Sequence, residues 1–273
     1  SDVYKRQVVV YTNSLIGART NRHGNLDALA AAIIGKVPLM GLLLKENRKA
    51  DLLVKVNFKP KYEYDFGLIG LYIGDKIKSN DKPAFIFDHE IEEDHLRSLG
   101  ASLAASGGVP MFHVIGITPE AKTIREAFQN DEPGDKITIN AQDIIEFRDE
   151  KLGNGGDPDL IVIGCPHASL NEIKIIASKV KNRKIKENLK FWIFTSRHVR
   201  DLAKKAGFLK TLENAGIEVL VDTCMVVSPL EDMGVRHVIT NSGKAMFYIP
   251  KLSRHRLTVE IRNIDEILQI ALE

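Results

Sequence analysis

Leu160-Ile-Val-Ile-Gly-Cys165-Pro-His-Ala-Ser169-Leu-Asn-Glu172 decides the fold class. Its four opening residues are apolar without alternation, as expected of a strand covered on both faces in a parallel sheet. Ser169 and Glu172 have the spacing of a capping box. The helix they open would turn Leu170, Ile173, Ala177 and Val180 inward. A buried strand running straight into a capped helix is the repeating unit of an α/β fold.

The same alternation continues downstream. Residues 191–194 read as a strand, 197–206 as a helix stopped by Gly207, 218–221 as a strand and 237–240 as a further short strand. Upstream, residues 8–12 are expected to be a strand and 13–22 a polar loop. A helix follows over 26–34 with Leu26, Leu29, Ala30 and Ile33 inward. Strands are expected at 52–58, 85–87 and 111–116, and 92–100 should hold a helix. The small-residue stretch 101–110 contains Ser106-Gly-Gly108, read as a tight turn. Thr118-Pro-Glu120 looks like a capped helix start with proline in its favoured position, placing Ala121, Ile124 and Phe128 on one face. Strand 136–139 and helix 141–151 repeat the unit.

Gly153-Asn-Gly-Gly-Asp-Pro158 is the best candidate boundary. It separates a first α/β region, 8–152, expected to be incomplete at its N-terminus, from a second, 157–273, that carries both cysteines. Asp2-Val-Tyr-Lys-Arg-Gln7 resembles a translated transposon end. Residues 1–7 are therefore expected to be a cloning or assembly scar, with the natural N-terminus upstream.

With 44% apolar and 27% charged residues among 273, the chain can bury a sizeable core. A formal charge of +2 gives no reason to expect nucleic acid or an acidic membrane surface as partner. The run Lys179-Val-Lys-Asn-Arg-Lys-Ile-Lys186 is read as a solvated helix end. No apolar run approaches the ~20 residues of a membrane span. Two cysteines in so long a chain argue against a disulfide framework, and a cytoplasmic location is expected.

Those cysteines, Cys165 and Cys224, each follow a predicted strand. In open α/β sheets ligands collect at the carboxyl ends of the strands. Soft thiolates gathered there suit a metal centre. Their wide separation in sequence matches no local zinc or ferredoxin pattern, and packing as small hydrophobes is the alternative. His167, two residues beyond Cys165, could support such a centre from outside it.

Asn241-Ser242-Gly-Lys244 joins a turn, a hydroxyl and a cation after a strand, a combination suited to phosphate or carboxylate. It is not a Walker A loop, because Val238 stands where a glycine is needed. Ser196 and Arg197 open a helix directly after a strand and could hold an anion, cap the helix, or both. Asn13, Ser14 and Arg19, with Asn21 and Arg22, form a polar basic segment that would suit the same kind of ligand or simply be solvated.

Five motifs carry a family resemblance: Tyr11-Thr-Asn-Ser-Leu-Ile-Gly-Ala-Arg-Thr-Asn-Arg22, Phe112-His-Val-Ile-Gly-Ile-Thr-Pro-Glu120, Gly164-Cys-Pro-His167, Asp222-Thr-Cys-Met-Val-Val227 and Thr240-Asn-Ser-Gly-Lys-Ala245. In this order they resemble the aconitase X family from about Val8 to near the C-terminus. The resemblance implies an aconitase-like α/β fold, with βα-alternating domains and mostly parallel sheets around an iron–sulfur site. It further implies a 4Fe-4S cluster on three cysteines: Cys165, Cys224 and a third that would lie upstream of Val8. Lys244 would match the family's substrate lysine, with Ser242, Asn241, Ser196, Arg197, Asn13, Ser14 and Arg19 as further substrate-binding candidates.

The implied activity is that of a hydro-lyase. In the family's archaeal branch it converts mevalonate 5-phosphate to anhydromevalonate 5-phosphate, on the mevalonate pathway to isoprenoids. The catalytic base would sit on a swivelling domain, here a separate small subunit, making the enzyme a heterodimer. A cis-3-hydroxy-L-proline dehydratase of the same family, or a non-catalytic phosphate-binding subunit with structural cysteines, are the alternatives.

Overall fold

In the computed structural model, which describes residues 2–151, 156–254 and 256–272, the chain opens with a helix where a strand is expected. α1 (Asp2–Tyr11) passes into a π-helical turn, Thr12–Ile16. Val9, Val10, Asn13 and Ser14 are buried while Val8 is exposed, a stripe with helical spacing. A run as short as Val8-Val-Val-Tyr11 looks alike in either state, and packing decided against its β-branched preference. α2 (Asn25–Ile34) forms where the pattern places it. Its expected inner face, however, points outward: Leu26 is 82% and Ile33 77% exposed, with Leu29, Ile34, Val37, Leu39 and Met40 exposed beside them.

The chain divides into two units, Ser1–Pro60 with Ile69–Ile144, and Lys61–Leu68 with Ile145–Glu273. Residues 152–155 of the glycine-rich boundary, like Ser1 of the suspected scar, lie outside the described residues.

The first unit contains β1 (Leu52–Val56), β2 (Pro83–Ile86), α4 (Glu93–Ser106), β3 (His113–Val114), α5 (Ile124–Ala127) and β4 (Asp135–Ile139), together with the part of α3 (Glu63–Lys76) from Ile69 on and the start of α6 (Ala141–Lys151) as far as Ile144. Its strands are parallel in the order β3-β2-β1-β4. α3 has no counterpart in the sequence reading. Gly70 and Gly74 lie where side chains would collide, and a Cβ on Gly70 would stand 2.7 Å from the Leu99 carbonyl of α4. Three glycines within a helix, Gly67, Gly70 and Gly74, obscure its pattern, and two of them permit this contact.

The helix expected at Thr118 starts later, at Thr123, whose hydroxyl accepts from the Glu126 N–H. Thr118 instead receives the Val114 N–H at 2.9 Å, closing a turn after β3. Glu120 is drawn to Arg48.

Arg48 is buried and fully engaged. Its Nε donates to both Glu120 oxygens at 2.9 Å, its Nη1 to Asn13 Oδ1 at 2.7 Å and to the Leu42 carbonyl at 3.0 Å, and its Nη2 to the carbonyls of Asn13 and Ala18. A buried guanidinium is tolerable because its donors are satisfied and a carboxylate opposes its charge. His113 Nε2 donates to the Arg48 carbonyl at 2.8 Å, and its buried Nδ1 has no partner.

The second unit contains β5 (Leu160–Ile163), α7 (Leu170–Lys179), β6 (Lys190–Thr195), α8 (Arg197–Lys205), α9 (Phe208–Ala215), β7 (Ile217–Val221), β8 (His237–Thr240), α10 (Gly243–Leu252), β9 (Thr258–Ile261) and α11 (Ile264–Ala271). Its five strands are all parallel, in the order β7-β6-β5-β8-β9. All four residues of β5 are buried, as the unbroken apolar run requires. Ile161 and Ile163 pack with Ile173, Ile193 and Ile267. The capping box at Ser169 and Glu172 is present, and a second at Asn263 and Glu266 opens α11. The chain moves outward from β5 to β6 and β7, then crosses back to place β8 on the other side of β5. The switch point of the sheet therefore lies between β5 and β8, and in open α/β sheets ligands bind at the carboxyl edge of such a point.

No helix among the described residues is long and apolar enough to cross a membrane.

Two tests follow from the first unit. Replacing Leu29→Lys together with Ile33→Glu should reduce aggregation measured by light scattering, because exposed apolar surface drives association. The unfolding free energy should stay within about 0.5 kcal/mol, as for other surface substitutions.

The second test is of pH. Burial holds the His113 imidazole below its ordinary value of 6.5. Below that pH the unfolded chain binds a proton that the folded chain resists, so this contribution is intact above 6.5 and is lost as pH falls. Denaturant titrations from pH 7 to 5 should show a shallower loss of stability in His113→Phe than in the unaltered chain.

Candidate metal and anion site

Gly164 turns the chain out of β5 with φ +102°, and a Cβ there would stand 2.0 Å from the Phe194 carbonyl oxygen. Only glycine allows so close a crossing. Cys165 follows at once and is buried. Cys224 is buried three residues beyond β7, and Lys244 is buried in the first turn of α10, after β8. Because the strands are parallel, all three leave the same edge of the sheet.

The three lie near enough to one another for their charges to interact. Burial pushes the Cys165 thiol up to about 11, with Cys224 adding to the rise and the Lys244 charge opposing it. Burial lowers the pKa of Lys244, offset in part by Cys165 and Cys224.

Hydrogen bonds fix the loops. Ser242 caps α10 by accepting the Ala245 N–H at 3.0 Å, and its hydroxyl donates to the Cys165 carbonyl across the switch point. Thr195 Oγ1 donates to the Ala168 carbonyl at 2.7 Å, tying the end of β6 to the same loop. His167 Nε2 donates to the Thr223 carbonyl at 2.9 Å, since a carbonyl can only accept. The Cys224 carbonyl accepts from Ser228 Oγ at 3.0 Å.

The other candidates have different tasks. Ser196 caps α8 by accepting the Val199 N–H at 3.2 Å. Arg197 is exposed and paired with Asp222, the first residue of the Asp222–Val227 motif, which lies in the left-handed region at φ +59°. Asn241 is half-buried between β8 and α10.

Asn13, Ser14 and Arg19 belong to the first unit. Asn13 spends its amide on Val9 and Thr20 carbonyls and its oxygen on the Thr20 N–H and Arg48. Ser14 accepts the Phe112 N–H at 2.9 Å. Both side chains are buried and bonded within the first unit. Arg19 donates to the Leu43 carbonyl and lines a polar cleft of about 910 Å³ with Arg48, Glu120 and Arg125. Arg48 itself escaped the sequence reading, and a lone arginine in a polar stretch gives no signal of burial.

Two thiols beside a buried cation fit soft-metal chemistry next to an anion. Among the described residues no group of three or more histidine, cysteine and acidic side chains gathers, so this chain offers two thiolates.

Models of three successive domains match the chain: aconitase X first domain over residues 5–46, second domain over 50–149 and third domain over 158–273. The chain belongs to the aconitase X family. It is 42% identical over 269 residues to the phosphomevalonate dehydratase large subunit of Methanocaldococcus jannaschii, covering 96% of this chain and 64% of that protein. The namesake from Methanothermobacter thermautotrophicus is 46% identical over 242 residues, covering 89% and 59%. The cis-3-hydroxy-L-proline dehydratase of Pseudomonas aeruginosa is more distant, at 34% over 258 residues, covering 89% and 43%. The chain thus spans about six-tenths of the length of the large subunits it matches. The crystal structure of Thermococcus kodakaraensis aconitase X in its holo-form superposes with a TM-score of 0.87 at 35% identity, covering 97% of this chain and 66% of that one. The aconitase-like α/β fold with parallel sheets is thereby shown.

A cation buried for binding rather than for stability predicts a stable knockout. Lys244→Met should leave the melting temperature unchanged or raise it, because the ammonium surrenders hydration that the methionine never needed. A loss of more than about 3 kcal/mol, as when a buried ion pair is broken, would instead make Lys244 part of the structural framework.

Proposed function

We propose that this chain is the cluster-bearing part of the large subunit of a hydro-lyase that dehydrates mevalonate 5-phosphate to anhydromevalonate 5-phosphate. The observation that carries this reading is that Cys165, Cys224 and Lys244, whose charges interact, leave the carboxyl edge of one parallel sheet. It is supported by archaeal phosphomevalonate dehydratase large subunits at 42% and 46% identity.

Cys165 and Cys224 would hold a 4Fe-4S cluster together with a ligand from outside the 273 residues. Once bound, the cluster would supply a Lewis-acidic iron that makes the substrate's 3-hydroxyl a better leaving group. Lys244 and the N-terminal turn of α10 present a cation and a helix dipole to the substrate's carboxylate or phosphate. Their burial strengthens that attraction and excludes water. Ser242 holds this turn against the Cys165 loop, so the anion anchor and the thiolates keep one geometry. The base that removes the neighbouring proton would come from a small subunit, the partner implied by the relatives' names.

After anaerobic reconstitution with iron and sulfide, the chain should absorb near roughly 400 nm, and Cys165→Ser or Cys224→Ser should weaken the band. With a cognate small subunit, loss of water from mevalonate 5-phosphate is followed by mass spectrometry. Omitting the small subunit should cost about 10²–10⁴ in rate, the contribution of a positioned base. Lys244→Ala should lower kcat/KM about 10–100-fold, the worth of a charge-assisted hydrogen bond. Robust turnover by the chain alone would place the base here. Turnover of cis-3-hydroxy-L-proline but not of mevalonate 5-phosphate would move the protein to the other branch of the family.

A further inference from the structure

The two cysteine loops arise from strands separated by β6, and a shared metal centre requires them to hold one mutual position. We propose that His167 is the positioning residue that sets it, by clamping the peptide that precedes Cys224. The inference rests on the reading of Cys165 and Cys224 as ligands of one centre.

His167 belongs to the Cys165 loop, and its Nε2 donates at 2.9 Å to the carbonyl of Thr223. That carbonyl is part of the Thr223–Cys224 peptide, whose planarity ties its orientation to the Cys224 Cα. Holding the oxygen therefore holds the attachment point of the second thiol relative to the first. The Cys165 side is secured in the same manner, because Ser242 donates to the Cys165 carbonyl from the cap of α10. Each cysteine is thus anchored through an adjacent peptide plane, and the side chain that reaches from one loop to the other is His167.

The geometry assigns its chemistry too. With Nε2 committed as a donor, the neutral ring is the Nε2–H tautomer. The clamp needs a donor at that reach and does not need a charge. A glutamine, whose amide N–H extends to a similar distance, should replace it in part. Alanine should not.

Binding of Cd²⁺ to the reduced chain, read by thiolate-to-metal absorption, tests this without activity or cluster assembly. Cys165→Ser and Cys224→Ser define the signal of a broken site. His167→Ala should weaken Cd²⁺ binding about 10–100-fold, the usual cost of losing an outer support of a metal ligand. His167→Gln should recover most of the affinity. Long-range ¹H–¹⁵N spectra of the unaltered chain should show His167 as the Nε2–H tautomer.

Equal affinity in His167→Ala and the unaltered chain would overturn the proposal, as would an Nδ1–H tautomer. Glutamine as weak as alanine would overturn it as well, since that is the behaviour of a histidine that binds metal itself. Should the alanine variant fail to fold, the glutamine variant decides alone, with near-normal affinity upholding the clamp and broken-site affinity refuting it. An unaltered chain that binds no better than Cys165→Ser is a separate result, which would refute the shared metal centre and the clamp with it.

Discussion

The backbone of β5 leaves the sheet so close to β6 that position 164 has no room for a side chain, with the Phe194 carbonyl 2.0 Å from where a Cβ would stand. Much of the site depends on that crossing. It puts Cys165 directly over the carboxyl edge of the sheet, beside the switch point where β8 enters on the other flank. Because β5 is central, its loop can be reached from both sides: by His167 toward the loop after β7, and by Ser242 from the cap of α10. A cysteine on an edge strand would have neighbours on one side only. The central placement lets two loops and a helix start be tied to one short turn.

Capping explains why the hydroxyls near this edge do not by themselves mark a binding surface. Ser169, Ser196 and Ser242 each stand at the start of a helix that follows a strand, and each accepts a backbone N–H three residues on. A βα unit needs such a residue there, because the first N–H groups of a helix lack partners. Ser242 also donates to the Cys165 carbonyl. The group best suited to attract an anion is then Lys244, with the dipole of α10 behind it.

Legibility in the sequence followed the same physics. In the second unit β5 to β8, α7 and α8 are legible because the strands are largely buried and the helices begin with recognisable caps, at Ser169 above all, whereas α9, α10, β9 and α11 have no counterpart in the sequence reading. The candidate site was legible insofar as thiols and a lysine following parallel strands must share an edge. The first unit was harder. Val8-Val-Val-Tyr11 is too short for periodicity to separate helix from strand. Gly70 and Gly74 broke the pattern of α3 for a packing reason that only its neighbour α4 reveals. Thr118-Pro-Glu120 imitates a helix start, but its glutamate is held by a buried arginine distant in sequence. The bonds of Asn13 and Ser14 to buried backbone could not be read from the sequence, because polar side chains that bind substrate and those that bind buried backbone are the same residue types. Only knowledge of their partners distinguishes them.

The buried lysine shows how the site departs from an optimum for stability. An ammonium inside a protein loses hydration, and Lys244 is placed where the groups tuning it are two thiols. While those thiols are protonated they return little of that loss. Burial raises the pKa of Cys165 to about 11, so near neutral pH in the metal-free chain it is a thiol, and the lysine stands near neutral sulfur. Metal binding would change this balance, since thiolates must form for coordination and their protons must leave. The lysine would then face negative sulfur, and its charge would be favoured by what previously gave it little. Lys244 thereby links the two halves of the proposed chemistry: the same cation that would hold a substrate anion also favours the ionised cysteines that hold the metal.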